Sequence, residues 1–208
     1  MFVFDLVGRD EENSVYQALA IDSLGRQYDF LRSIVKASLD LQRDMLSLEV
    51  ILALNHHAIS CLHASAGQIR PCAVMVGDHK PPPHYQVPPL MHMFIDEVNR
   101  KWENADPIFL ATFVLWRLNY IHPFVNGNGR TARAACYFVL CLKLGRWLEG
   151  KPNLPELIRR DRAEYVAALE CATKGHEQGE ADLSVLHALL ERLLAEQNYN
   201  ARREAGLL

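Results

Sequence analysis

His122-Pro-Phe-Val-Asn-Gly-Asn-Gly-Arg-Thr-Ala-Arg133 lies between two apolar segments, and how it is read decides the fold. Upstream, Phe109, Phe113, Trp116, Leu118 and Ile121 make a segment that is apolar on most sides, as a buried helix is. Asp106-Pro107 supplies an N-cap and a proline at the first helical position. Pro123 pushes His122 out of helical geometry and ends that helix. Downstream, Arg130 to Leu144 is again almost wholly apolar, and Gly145 closes it. Two buried helices joined by a glycine-rich turn predict an all-α core.

The flanking sequence extends that picture. Glu11 to Leu24 reads as a moderately amphipathic helix that Gly25 would stop. Asp29 to about His63 carries apolar residues at helical spacing and reads as two helices. Leu90 to Trp102, Glu156 to about Leu169 and Leu183 to about Asn200 are further helices, with Lys174 to Glu180 a loop. Gly67 to Pro89 differs. Ile69 to Gly77 is β-leaning and bounded by glycines, and Pro81-Pro82-Pro83 and Pro88-Pro89 follow. A short hairpin flap leading into an irregular loop fits that composition. With no repeat and no long linker, we divide the chain into an N-terminal helical extension (1–30), a main domain (31–195) and a C-terminal tail (196–208).

The 208 residues are half hydrophobic and 23% charged, with a formal charge of −3. That balance describes a folded chain and gives no reason to expect nucleic acid or an anionic membrane as partner. Asp5 interrupts the apolar start, and no run approaches the roughly 18 apolar residues of a membrane span. Five cysteines (Cys61, Cys72, Cys136, Cys141, Cys171) form no C-x-x-C and mostly sit in apolar runs. They read as reduced core thiols of a cytoplasmic protein.

The turn concentrates chemistry. A helix that starts on Gly127-Asn128-Gly129 presents consecutive backbone N–H groups at the positive end of its dipole, a cradle for an anion. Arg130 and Arg133, three apart, can both reach it. Backbone donors with two guanidiniums suit a polyphosphate. His122 beside such a chain could take a proton from an attacking hydroxyl.

The stretch resembles the signature of the Fic (filamentation induced by cAMP)/Doc family, H-x-F-x-[D/E]-G-N-G-R-x-x-R, at every defined position but one. The similarity runs from about Leu31 to Leu194. It takes in a flap-like region (about 67–80, with Val76-Gly77-Asp78-His79-Lys80) and the spacing Arg162-Ala163-Glu164-Tyr165 after the motif. The resemblance implies a Fic-type helical bundle with a small β-hairpin flap. It also implies a protein adenylyltransferase that moves AMP from ATP to a Ser, Thr or Tyr hydroxyl of a target protein. By resemblance His122 is the general base and Phe124 anchors the loop in the core. Gly127, Asn128 and Gly129 would hold phosphates, with a side-chain donor from Asn128. Arg130 would bind on the β-phosphate side, and Arg133 the γ-phosphate or the loop. Flap residues Ile69, Arg70, Val74 and Val76 would hold the target by strand pairing. ATP is the implied co-substrate and the target protein the implied partner. An antitoxin-like or self-regulatory partner and a homodimer stay open.

Asn126 stands where the family has a magnesium-binding acid. The resemblance implies Mg²⁺ as cofactor with Asn126 as a weak ligand, and the lost charge would weaken that binding by about a few kcal/mol at an effective dielectric near 20. Metal-assisted transfer would be slowed, changed in the group moved (another nucleotide, phosphate or phosphocholine), or reduced to nucleotide binding. Ser38 to Arg43 is similar to the family's inhibitory motif [S/T]-x-x-x-E-[G/N] with Gln42 in place of the acid. Thr173 to Glu177 has the right hydroxyl spacing but sits in a stretch read as loop. His56, His57 and His63 lack zinc spacing, as do His79 and His84. Arg159, Arg160 and Arg162 read as a solvated helix face.

Overall fold

The computed structural model describes residues 2–77 and 79–207. The α-helices in chain order are α1 (Val3–Leu6), α2 (Ser14–Asp40), α3 (Leu48–Ile59), α4 (Val87–Lys101), α5 (Pro107–Ile121), α6 (Asn128–Lys143), α7 (Leu154–Arg160), α8 (Arg162–Glu177) and α9 (Ser184–Glu204). Among the described residues no β-strand forms, and no helix is long and apolar enough to cross a membrane.

The centre is the pair α5 and α6, which pack on each other more extensively than any other two elements. Asp106 caps α5 by accepting hydrogen bonds from the N–H groups of Ile108 and Phe109, at 2.9 and 3.0 Å. The helix then buries residues on every side, Leu110 to Trp116 without a break. α6 is buried from Ala134 through Leu142. Helices α2, α3, α4, α8 and α9 close around this pair, and the central core runs continuously from Leu31 to Leu194. A smaller apolar cluster joins Tyr16, Ala58, Ile59 and Leu62 to Val3, Phe4 and Val7. The N–H groups of Val3 and Phe4 donate to the carbonyls of Cys61 and Leu62, which ties the N-terminal segment to the end of α3.

Several boundaries differ from the sequence reading. α2 is one helix of 27 residues that passes through Gly25 and across position 30. Glycine inside a helix costs about 1 kcal/mol. The buried stripe Ser23, Gln27, Leu31 and Val35 outweighs that by packing on α3 and α6. Gln27 adds a hydrogen bond to the Leu54 carbonyl at 2.9 Å. The expected helix at Glu156 to Leu169 is two, broken at Asp161; the first opens on a capping box formed by Asn153 and Glu156. The expected loop from Lys174 is helical to Glu177, and α9 carries the expected tail to Glu204. Only Cys136 and Cys141 are buried; Cys61, Cys72 and Cys171 are exposed free thiols.

The flap also differs from a hairpin. Among the described residues between α3 and α4, the chain turns after Ser60, forms only the isolated antiparallel bridges Ile69 with Phe124 and Val76 with His79, and ends in a 3-10 turn at His84–Gln86. Pro71 and Pro81 to Pro83 lack the N–H groups a ladder needs. The carbonyls of Cys72 and Pro82 are taken by the Arg70 side chain instead. Asp78, inside the expected flap, lies outside the described residues.

Candidate functional site

The site forms where α5 ends and α6 begins. His122 is the C-cap of α5 and has left-handed backbone angles, φ 51° and ψ 61°. Its N–H donates to the Leu118 carbonyl at 3.0 Å, and its own carbonyl accepts from Arg70 Nε at 2.7 Å. Burial pushes the imidazole down to about 4; hydrogen bonding to the Asn119 backbone opposes this, while His79 and Arg70 add to it. The ring is therefore neutral near pH 7, the state in which it accepts a proton.

Phe124 is buried, with 1% exposure. Asn128 holds the loop through its side chain. Its Oδ1 accepts from the Phe124 N–H at 2.9 Å and its Nδ2 donates to the Phe124 carbonyl at 2.8 Å. Both ends of the amide clasp the loop, which leaves one N–H of Nδ2 uncommitted.

Gly127 is the N-cap of α6, and no side chain caps this helix. Its φ is 79°, and a Cβ there would stand 2.8 Å from Ile59 Cγ2 and 3.0 Å from Asn55 Nδ2. Close approach to α3 and a left-handed backbone both require glycine. The first N–H groups of α6 are thus left without a side-chain cap, the state in which they serve as anion donors. At Gly129 a Cβ would lie 3.3 Å from Arg133 Nη1, so the Arg133 guanidinium lies over that first turn. Arg133 makes no side-chain hydrogen bond among the described residues; burial lowers its pKa, and Arg130, Arg159 and Arg162 push in the same direction.

Arg130 is already engaged. Nη1 donates to the Ala58 carbonyl at 2.7 Å and Nη2 to Asn126 Oδ1 at 3.2 Å. Asn126 Nδ2 in turn donates to Glu11 Oε1 at 2.8 Å. A divalent cation at position 126, which the fold family implies, does not fit this arrangement: the only side-chain oxygen of Asn126 faces a guanidinium. Among the described residues no cluster of three or more His, Cys, Asp or Glu could hold a metal.

The expected flap contacts divide. Ile69 pairs with Phe124 and packs, partly buried, on the core, and Arg70 is 2% exposed. Val74 is half-buried, while Met75 and Val76 are exposed. Ser38 and Gln42 are not brought to the arginines by any hydrogen bond. Gln42 is exposed, just past the end of α2, with φ 53°.

Three features escaped the sequence reading. Buried Asn55 donates to the Asn126 carbonyl at 3.0 Å and to Thr131 Oγ1 at 3.2 Å, and accepts from the Gly67 N–H at 2.9 Å. A lone amide within the apolar run of α3 was its signal. Arg159 and Arg162 direct charge at the α6 start, whereas Arg160 pairs with Asp161 and Glu196. Nothing local in the sequence marks Glu11 as a neighbour of Asn126.

Comparison with known proteins agrees with this geometry. Residues 45–140 match the model of the Fic/DOC family. The chain is 31% identical over 145 residues to protein adenylyltransferase Fic of Nematostella vectensis, covering 68% of this chain and 32% of the relative. It is 34% identical over 148 residues to protein adenylyltransferase fic-1 of Caenorhabditis briggsae, covering 70% and 28%. The chain thus spans about a third of the length of these curated relatives. Fic-1 of C. elegans superposes with a TM-score of 0.65 at 25% identity, covering 88% of this chain and 49% of that one. A Fic domain containing signaling protein of Bacteroides thetaiotaomicron superposes at 0.66 and 21% identity, covering 97% and 79%, and shares the fold. With the motif, the helical pair that frames it and these likenesses in agreement, the chain belongs to the Fic/DOC family.

Proposed function

We propose that this protein transfers AMP from ATP to a hydroxyl group of a target protein, with His122 as general base. The observation that carries the reading is a neutral, half-buried histidine six residues before an uncapped helix N-terminus, over which Arg133 lies with no hydrogen-bond partner among the described residues. The target hydroxyl oxygen attacks the α-phosphorus of ATP and gives its proton to His122. The bond from the α-phosphorus to the bridging oxygen breaks, and pyrophosphate leaves. Negative charge developing on the phosphates is met by the N–H groups at the start of α6 and by Arg133, with Arg159 and Arg162 nearby. Position 126 contributes no carboxylate, so no step is assigned to a metal there. Val74, Met75 and Val76 form the surface against which a target segment would lie in extended form. A cytoplasmic location and a regulatory partner or homodimer belong to the same reading.

The test is incubation of the purified protein with α-labelled ATP and cell lysate. Labelled target bands that vanish in His122→Ala are expected, and mass spectrometry of the product identifies the group moved. Absence of labelling across nucleotides and divalent cations overturns the proposal. A second reading, a nucleotide-binding module with weak turnover, is favoured by the Glu11–Asn126–Arg130 chain, which spends two side chains of the site on each other. Tight ATP binding without labelling would select it.

A further inference from the structure

The geometry points to Arg70 as a positioning residue that ties His122 and the target-presenting segment to one another. This assignment rests on the transfer reading above.

Arg70 is among the largest fully buried side chains of the molecule. Its main-chain N–H donates to the Pro123 carbonyl at 2.9 Å. Its guanidinium donates through Nε to the His122 carbonyl at 2.7 Å, through Nη1 to the Cys72 carbonyl at 2.9 Å and through Nη2 to the Pro82 carbonyl at 2.5 Å. All its partners are carbonyls; among the described residues no carboxylate pairs with it. A guanidinium taken out of water without a counter-ion is costly to the fold, and an apolar side chain would fill the space at less cost. A planar fork that holds three carbonyls in fixed relation does what an apolar side chain cannot.

The identity of those carbonyls says what is being fixed. One belongs to His122, at the end of α5, where helix carbonyls lack intrahelical partners and a cationic side chain can cap them. A left-handed non-glycine residue carries conformational strain that its surroundings must hold. The imidazole hangs from that same residue, so rotation of its peptide moves the proton acceptor. The other two carbonyls, at 72 and 82, bracket the extended segment that carries Val74, Met75 and Val76. One rigid group therefore sets the position of the base relative to the segment that would present the hydroxyl. Arg70 makes no hydrogen bond to a described residue of α6.

Arg70→Lys keeps the charge and the stem but loses the fork, and it is compared with the wild type. Two readouts need no turnover: amide hydrogen exchange over residues 71–82, and the imidazole ¹⁵N resonances of His122, assigned with His122→Gln. Exchange about tenfold faster in that segment, shifted His122 resonances and unchanged exchange in α9 are expected. Unchanged exchange and unchanged resonances overturn the proposal. With labelled ATP and a wild type that transfers AMP, Arg70→Lys loses about 10- to 100-fold in kcat while KM for ATP stays within about twofold. A raised KM for ATP with kcat kept overturns it. A wild type that labels nothing removes the transfer reading and leaves the tie to be judged on the first two readouts. Pro82→Gly, which leaves Arg70 in place and loosens only the far anchor, covers the case in which Arg70→Lys does not fold. Faster exchange over 71–82 is again expected, and its absence overturns the proposal.

Discussion

Glu11 Oε1 accepts a hydrogen bond from Asn126 Nδ2 at 2.8 Å, across 115 positions of sequence. The N-terminal segment thereby sets a carboxylate beside the motif that ought to receive phosphates. At an effective dielectric between about 20 and 80, one unit charge several ångströms from a polyphosphate is worth about 1 kcal/mol. Glu11→Ala is therefore expected to tighten ATP binding about 3- to 10-fold, measured by titration calorimetry at low salt. Unchanged affinity would place Glu11 outside the nucleotide's field.

The same contact makes Asn126→Asp a coupled substitution. Aspartate there keeps its attraction to Arg130 but meets the Glu11 carboxylate where the amide now donates. The single variant gains little in magnesium-dependent ATP binding, and Asn126→Asp with Glu11→Ala gains more than the two effects added. A double-mutant cycle reads that coupling directly. Strict additivity would mean that Glu11 leaves the motif when nucleotide arrives.

The pH response of His122 follows from its burial. Its value in the fold, about 4, lies below the ordinary 6.5 of the unfolded chain. Turnover should stay flat from about pH 8 to 5 as far as this group is concerned, falling only as pH approaches 4. The unfolded chain takes up the proton first as pH falls. Stability from the neutral ring is thus lost between about 6.5 and 4 and levels off below. Burial lowers His57, His63 and His176 as well, so they add to the loss. Thermal unfolding of the wild type and His122→Ala across that range isolates the His122 share.

Gly127→Ala tests the cradle's backbone. The added Cβ would meet Ile59, which is fully buried, from a left-handed backbone. A loss of about 2 kcal/mol or more is expected in denaturant unfolding. Gly25→Ala is the contrast: it sits in open space inside α2 and should stabilise by about 0.5–1 kcal/mol.

Asn128 and Arg133 should separate structure from binding. Asn128→Ala leaves the buried Phe124 amide and carbonyl without partners, at about 1–3 kcal/mol of stability. Arg133→Ala removes no side-chain hydrogen bond to a described residue and should leave the melting temperature near the wild-type value. Its ATP affinity should fall about 10-fold or more, as loss of a charge-assisted contact does.

The helical pair and the turn between them were legible because apolar periodicity and proline rules act locally: Asp106, Pro123 and Gly127 each do what their chemistry dictates. Gly25 misled because its local cost is smaller than the packing of Leu31 and Val35 a turn or two away. The motif gave residue types but not allegiances. Asn128 and Arg133 lie within the first two turns of α6, yet one clasps its own loop and the other makes no side-chain hydrogen bond among the described residues, a division set by where Phe124 and Gly129 place them. Arg70 looked like a surface flap residue because the carbonyls that bury it come from positions 72, 82 and 122. Glu11 could not be found at all, since its place depends on Val3 and Phe4 pairing with Cys61 and Leu62.

The turn from His122 to Gly127 joins opposite poles of two buried helix dipoles. It leaves the negative end of α5 at the histidine and enters the positive end of α6 at the glycine. In the proposed reaction a positive charge appears on the imidazole as negative charge gathers on departing pyrophosphate. Each charge would then arise at the pole that favours it. The backbone of this helical hairpin thus acts as a charge sorter across six residues, a property shared by any side chains that keep the two helices buried and the turn short.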